Sequence, residues 1–254
     1  MNIQKFRNNI RMQCPGHSAI RRKEQPMKHP ALKEQAYEYI RRKLKMCEYM
    51  PGEAINEVKI IEETGIGRTP VREAILSLKE EGLIEIRPRK GTFASPITEF
   101  QINETYQIRR LLEPVAAVRY KQQFDKSTLL DYDSLFEHLD IGDDEKYFDL
   151  DMRFHQAIIN AAGNPMLTDF YEKVMFTQYR IGIYNSIRGL ARKENYYLEH
   201  HDIIRALLEE DDKAIEEACV RHISRSHIIS LKALKNGGTD VKDSQGSRLS
   251  GNSQ

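Results

Sequence analysis

Long apolar runs are missing from this 254-residue chain. Nothing in it approaches the ~20 consecutive apolar residues that a membrane-spanning helix needs, and its N-terminus lacks the apolar stretch of a signal peptide. Cysteine is scarce: Cys14, Cys47 and Cys219 are odd in number, form no metal-like pair and read as reduced thiols. An excess of one charge sign is absent too, with 39 Lys and Arg against 38 Asp and Glu. Such balance excludes a general polyanion binder, so any affinity for nucleic acid must come from a local patch. Beyond residue 98 there is no strand pattern and no Gly-rich phosphate loop. These absences predict a cytoplasmic protein with no membrane partner, long enough for two modest domains that each hold a core.

What is present is concentrated first in residues 65–93, GIGRTPVREAILSLKEEGLIEIRPRKGTF. Thr69 reads as an N-cap and Pro70 as the first helical residue, where a missing N–H leaves nothing unsatisfied. Arg72 then falls third in the helix, where a capping box would place Glu or Gln, and Arg68 stands just outside. Two cations at the positive end of a helix dipole are each mildly unfavourable. Locally wrong choices of this kind mark functional sites, and a polyanion docked here would turn repulsion into attraction. The plainer alternative is that both arginines merely solvate a helix end.

The flanks favour the polyanion. After a helix over residues 70–81 comes Gly82, then Leu83-Ile84-Glu85-Ile86, whose alternation predicts a strand. Arg87-Pro88-Arg89-Lys90-Gly91 is a turn with a cationic tip, and Thr92-Phe93-Ala94 returns as its partner strand. Upstream, apolar residues at 32, 37, 40 and 44 predict one helix, Pro51-Gly52 breaks the chain, and residues 58–63 make a second helix ending at Thr64-Gly65. Helix, helix, tight turn, arginine-led helix and basic hairpin describe a winged helix-turn-helix, whose second helix enters the DNA major groove.

At these residues the chain resembles the GntR family of bacterial transcription regulators. The resemblance is carried by Arg68-Thr69-Pro70-Val71-Arg72-Glu73-Ala74, Glu81-Gly82-Leu83-Ile84 and Arg87-Pro88-Arg89-Lys90-Gly91. It implies base reading by Arg68 and Arg72, with Gly67, Thr69, Lys90 and Gly91 on backbone or phosphate and Arg89 in the wing; bidentate Arg on guanine is worth about 1–3 kcal/mol of discrimination. Two positions depart from the family. Gly67 stands where a Ser is usual, and Val58 where some members carry Arg.

Residues 1–29 hold seven Lys and Arg against one acid, Glu24. They read as a flexible basic leader, either a DNA-touching arm or an upstream extension with Met27 as the natural start. From residue 236 to 254 the Gly, Ser, Asp and Gln content predicts a disordered tail. The winged domain is expected at 30–96 and a second domain at 97–235. There, helical stripes over residues 106–122, 129–139, 143–162, 165–186, 194–209 and 212–234 predict an all-α bundle of six to seven helices, making the protein mainly α with one small β-hairpin.

Asp151 and His155, four apart, share an inward helix face with Ile158 and Ile159. His200 lies on the stripe of Ile203, Ile204 and Leu207, and His222 on that of Ile215, Ala218 and Cys219. Together they form a nitrogen/oxygen set suited to a divalent transition metal, or else they are core histidines satisfied by neighbours. Arg109 is free to clamp a carboxylate or to pair with Glu113, four residues on. Tyr179 and Arg180 are further pocket candidates that an ordinary polar helix face explains equally well.

The second domain is similar to the FCD domain of the FadR subfamily. The similarity lies in Arg109-Arg110-Leu111-Leu112-Glu113, Asp151-Met152-Arg153-Phe154-His155, Ala161-Ala162-Gly163-Asn164, Glu199-His200 with Ile203-Ile204, and His222. It implies a metal held by Asp151, His155, His200 and His222, Zn or Ni first by ligand type, with His201 the competing third ligand about 100° round the helix. It also implies an organic-acid or sugar-acid effector near Arg109, a homodimer, and a near-palindromic double-stranded operator bound by a repressor that its ligand releases. A metal-dependent hydrolase fused to a DNA-binding module is the rival from another class, with Glu199 as its only nearby base. A purely structural metal is the third alternative.

Overall fold

The computed structural model describes residues 29–140, 142–190 and 193–237. The basic leader up to residue 28 and the tail beyond residue 237 lie outside the described residues.

Helix α1 (His29–Lys45) buries Ala36, Ile40 and Leu44 along one stripe. Helix α2 (Glu57–Thr64) starts at Asn56, whose side chain accepts from the N–H groups of Val58 and Lys59, and stops at Gly65 in the left-handed region, φ 68°. Helix α3 (Arg68–Glu80) presents Val71, Ala74, Ile75 and Leu78 to the same core. Strands β1 (Ala54–Ile55), β2 (Ile84–Arg87) and β3 (Gly91–Ala94) form an antiparallel sheet in the order β1-β3-β2, with Ile55 opposite Thr92 and Glu85 opposite Phe93. β1 was not expected: two residues are too few to show an alternation, and its pairing comes from a partner some forty positions away.

The second region contains six α-helices among the described residues: α4 (Glu99–Arg119), α5 (Lys126–Glu137), α6 (Asp144–Asn160), α7 (Pro165–Ile187), α8 (Lys193–Glu209) and α9 (Asp212–Gly237). Their starts are set by Thr98, Asp125, Asp143 and Asn164, each accepting a backbone N–H of the first turn. The Gly163-Asn164-Pro165 break behaves as its residue types require, with Gly163 at φ 61° and Pro165 opening α7. Phe154, Ile158, Ile159, Tyr171, Ile203, Ile204 and Ile215 fill the centre of the bundle. α6 and α7 meet closely at Gly182, where an added Cβ would run into the Phe148 ring.

The two regions meet along α7. Phe176 joins the core of the N-terminal region and lies under the Arg41 guanidinium at 4.4 Å. Lys45 Nζ is 2.9 Å from Asp149 Oδ1, Arg180 Nη2 donates to the Ser95 carbonyl at 2.5 Å, and the Cys47 thiol donates to the Arg180 carbonyl at 3.6 Å.

Candidate functional site

The arginine-led helix begins two residues earlier than its sequence suggests. Gly67 is the N-cap and makes no side-chain bond, so Arg68 and Thr69 are inside the first turn and Pro70 is third. Pro70 still loses nothing there, because the first turn of a helix has no intrahelical acceptor for its N–H groups. Thr69 is therefore not the cap, and Arg72 belongs to the second turn. Both arginines remain exposed, as do Gly67 and Thr69. Arg72 is held in place by Glu57, with Nε 3.2 Å from Oε2, while the other oxygen of Glu57 accepts from Thr92 of the wing at 3.3 Å. One carboxylate thus ties the helix-borne arginine to the hairpin.

In the wing, Arg87 is committed: it pairs with Glu85 at 2.8 Å and lies 4.3 Å over the Phe93 ring. Arg89, at φ 61°, and Lys90 form the exposed tip ahead of Gly91 at φ 113°. Among the described residues nothing pairs with Arg68, Arg89 or Lys90. The surface thus offers unneutralised cations at a helix end and a hairpin tip, with Arg72 poised between them. Val58, exposed at the start of α2, adds no charge.

The second cluster is buried. One ligand atom from each of Asp151, His155, His200 and His222 lies within 4.8 Å of all the others. His200 Nε2 is 3.0 Å from Asp151 Oδ1 and 3.4 Å from His155 Nε2, and His155 Nε2 is 3.6 Å from the same Asp151 oxygen. His201, the competing ligand, turns away and meets Asp133 at 2.8 Å. The rings are oriented from outside. His155 Nδ1 lies 2.7 Å from Glu113 Oε2, His222 Nδ1 is 3.1 Å from Glu199 Oε2, and Phe136 stacks on His200 at 4.1 Å. Carboxylates behind histidines fix ring orientation and raise ligand basicity in metal sites.

Glu113 is the hub. Its Oε1 takes Arg109 Nε at 2.5 Å and the Tyr171 hydroxyl, and its other oxygen faces His155. Burial alone would raise the Glu113 pKa; the Arg109 charge, followed by that of His155, holds it below the usual carboxylate range. Asp151 is likewise held well below its ordinary value against burial, chiefly by His155. Burial would lower His155, yet the adjoining Glu113 carboxylate raises it. Burial pushes His222 down to about 4 despite its bond to Glu199. Its Nε2 faces the cluster with no hydrogen-bond partner. A neutral imidazole with an orphaned buried nitrogen beside two more histidines and a carboxylate fits a divalent ion's ligand set.

Arg109 realises the Glu113 pairing and also keeps Nη1 buried without a partner. Tyr179 and Arg180 are not brought to this cluster. The Tyr179 hydroxyl donates to the Glu145 carbonyl at 3.4 Å under Lys45, whose Nζ sits 3.7 Å from the ring, and Arg180 reaches Ser95. Both belong to the seam between the two regions, because α7 is long enough to line the cluster with one turn and the seam with another. Glu199, the acid that the hydrolase reading would use as a base, is committed to His222 and to Arg225, the latter at 2.8 Å. Sequence reasoning missed Tyr171 and gave Glu113 and Glu199 no positioning role; an Arg–Glu pair on the otherwise apolar inward stripe of α4 was the available signal.

Comparisons with known proteins match two separate segments of the chain. Residues 32–94 match the family described as bacterial regulatory proteins, gntR family, and residues 104–225 match the FCD domain. The HTH-type transcriptional repressor RspR of Escherichia coli K12 is 29% identical over 194 residues, 75% of this chain and 85% of its own length. The galactonate operon transcriptional repressor of the same organism is 23% identical over 200 residues, 70% of this chain and 87% of that protein. The solved structure of E. coli McbR/YncC shares the fold, with a TM-score of 0.67 at 21% identity, covering 80% of this chain and 98% of that one. No helix among the described residues is long and apolar enough to cross a membrane. A DNA-reading winged helix-turn-helix joined to an FCD bundle makes this chain a DNA-binding transcriptional regulator that belongs to the GntR family.

Proposed function

We propose that the chain is a FadR-type repressor that works as a homodimer and leaves its operator when a small carboxylate binds beside a metal in the FCD bundle. The observation that carries this reading is the coincidence of the Asp151, His155, His200 and His222 cluster with two buried, unpartnered nitrogens, His222 Nε2 and Arg109 Nη1. The four residues would hold Zn²⁺ or Ni²⁺, and the ion would supply positive charge and an open position for an acid. Arg109 would take the acid's second oxygen through Nη1 while Glu113 keeps Nε in place. Two of the named relatives are repressors, which supports repression as the output.

The path from cluster to DNA runs along α7. Tyr171 reports on Glu113 at one end, and Phe176, Tyr179 and Arg180 grip the N-terminal region further on. Rotation of α7 about the bundle would re-aim the arginine-led helix and mis-space the two half-sites of a near-palindrome. Phe100, Leu111 and Val115, exposed along one face of α4, suit a self-complementary dimer contact.

Four protein ligands also suffice for a closed structural ion. Metal analysis of purified protein, repeated on Asp151→Ala and His222→Ala, separates the two readings. The sensing site predicts loss of metal and of acid response with helix content intact. Loss of helix content together with the metal would instead assign a structural ion, and absence of metal from wild-type protein would sink both.

A further inference from the structure

One acid touches both the arginine-led helix and the wing. Glu57 is the first residue of α2; its Oε2 accepts from Arg72 Nε at 3.2 Å and its Oε1 from the Thr92 hydroxyl at 3.3 Å. Thr92 is a fixed post, since it is buried and sits in β3 between Ile55 of β1 and Ile86 of β2. Glu57 is half-buried, and Arg72 is exposed. Contact therefore runs from the centre of the sheet, through a carboxylate, to a guanidinium that faces solvent.

Stability does not account for this arrangement. An ion pair so open to water contributes little to folding, and an acid in the first turn of α2 satisfies that helix's dipole without reaching Arg72. An anion beside cations that a polyanion is to engage also repels phosphates, so for DNA affinity alone it is the wrong choice. Geometry gives it a use. Arg72 is held side-on through Nε, while its two terminal nitrogens stay unbonded among the described residues. Those nitrogens form the rigid fork that grips O6 and N7 of a guanine. An arginine held in this way has less side-chain freedom left to lose on docking.

We infer that Glu57 is a positioning residue for base recognition: it presets the Arg72 fork, fixes it to the wing through Thr92, and lowers general affinity for DNA. This rests on Arg72 as a base-reading residue of the proposed repressor. Removal of Glu57 then has a signature that a merely structural acid does not give. The fork loosens and the operator is bound more weakly, while loss of a negative charge leaves random duplex bound as tightly as before or more tightly. A structural defect weakens both.

The test compares full-length wild type, Glu57→Ala, Arg72→Ala and the double variant at one salt concentration. Each is titrated with random duplex and with an operator that wild type has selected from random duplexes. The quantity read is the ratio of the two dissociation constants, random over operator. Arg72→Ala should lower that ratio about 5–150-fold, the share of one bidentate arginine. Glu57→Ala should lower it about 2–12-fold, the range for ordering one long side chain, with random-duplex affinity unchanged or raised. Once Arg72 is gone, Glu57→Ala should lower it no further. An unchanged ratio in Glu57→Ala beside a lowered one in Arg72→Ala would overturn the inference and leave Arg72 as a reader. Weaker binding of Glu57→Ala to random duplex overturns it as well, and so does an equal loss of ratio with or without Arg72. If Arg72→Ala keeps the wild-type ratio, the inference falls together with the reading it rests on. Should Glu57→Ala unfold, Thr92→Val, which releases the carboxylate from the wing, must lower the ratio when Arg72 is present and not when it is absent; any other pattern overturns the inference.

Discussion

The two charged sites of this protein are built in opposite ways. At the DNA-reading end, Arg68, Arg89 and Lys90 stand in solvent with no partner among the described residues, and Arg72 has a single carboxylate. In the bundle, Arg109, Glu113, Asp151 and His155 are buried and bonded to one another, with Glu113 serving three partners. Exposed cations that nothing neutralises are available to an external polyanion and contribute little to folding. Interlocked buried charges are expensive to separate and respond only to something that enters the bundle. The cations of the DNA-binding module thus stand where a change costs little stability, and the Asp–His cluster where a change is felt by the whole helix packing.

This contrast is sharpened most by removing its buried hub. Glu113→Ala strands the Arg109 guanidinium and His155 Nδ1 in the core, and should lower unfolding stability by about 3–5 kcal/mol in denaturant titrations. A loss under 1 kcal/mol would show that the cluster is far wetter than its burial implies. At the exposed end, Arg72→Ala should leave stability within about 0.5 kcal/mol, yet weaken the preferred operator by about 1–3 kcal/mol relative to random duplex at fixed salt. Equal sequence-specific affinity would remove Arg72 from the reading surface.

A smaller effect is expected one step behind the Asp–His cluster. Glu199→Gln keeps the shape but weakens the carboxylate behind His222, and should lower zinc affinity about 10-fold or more with an unchanged circular dichroism spectrum. Zinc binding should also release a proton. His155 has its pKa raised in the metal-free protein, so its ring holds a proton in mildly acidic to neutral solution and must give it up for Nε2 to ligate. Affinity should therefore rise with pH across that range, and calorimetric heats should differ between buffers of different ionisation enthalpy; identical heats would contradict the protonated ring. The smallest change is Gly67→Ser. A serine fits, since an added Cβ meets only Pro70 Cδ at 4.0 Å, and its hydroxyl would cap α3 for a few tenths of a kcal/mol. A destabilised variant would deny Gly67 its capping position.

The same contrast explains what could be read from the sequence. The inward placing of Asp151, His155, His200 and His222 is legible because helical spacing sets them on the apolar stripes of their helices, and the structure brings the four together. The order of elements in the winged region was legible from turn residues and basic clusters. The true cap of α3 was not, because Gly67 has no side chain to announce it and Thr69 is a better cap by type. Tyr171 was hidden for a different reason: its partner Glu113 lies 58 residues away, and no local pattern carries such a contact. Tyr179 and Arg180 fit a pocket or an ordinary polar helix face equally well by sequence, and the docking of α1 and the Ser95 carbonyl on α7 gives their polarity another use. Local chemistry located the sites, and tertiary packing decided which polar residues serve them.

The central claim is that the buried cluster governs the exposed arginines. The most direct test is the ratio of operator Kd with and without saturating acid, measured at one salt concentration on zinc-loaded wild type and on Asp151→Ala, using an operator selected from random duplexes. Coupling of the usual 1–3 kcal/mol predicts a ratio of about 5–150 in wild type and a ratio near one in the variant. A wild-type ratio of one, or a variant that keeps the full response, would contradict it.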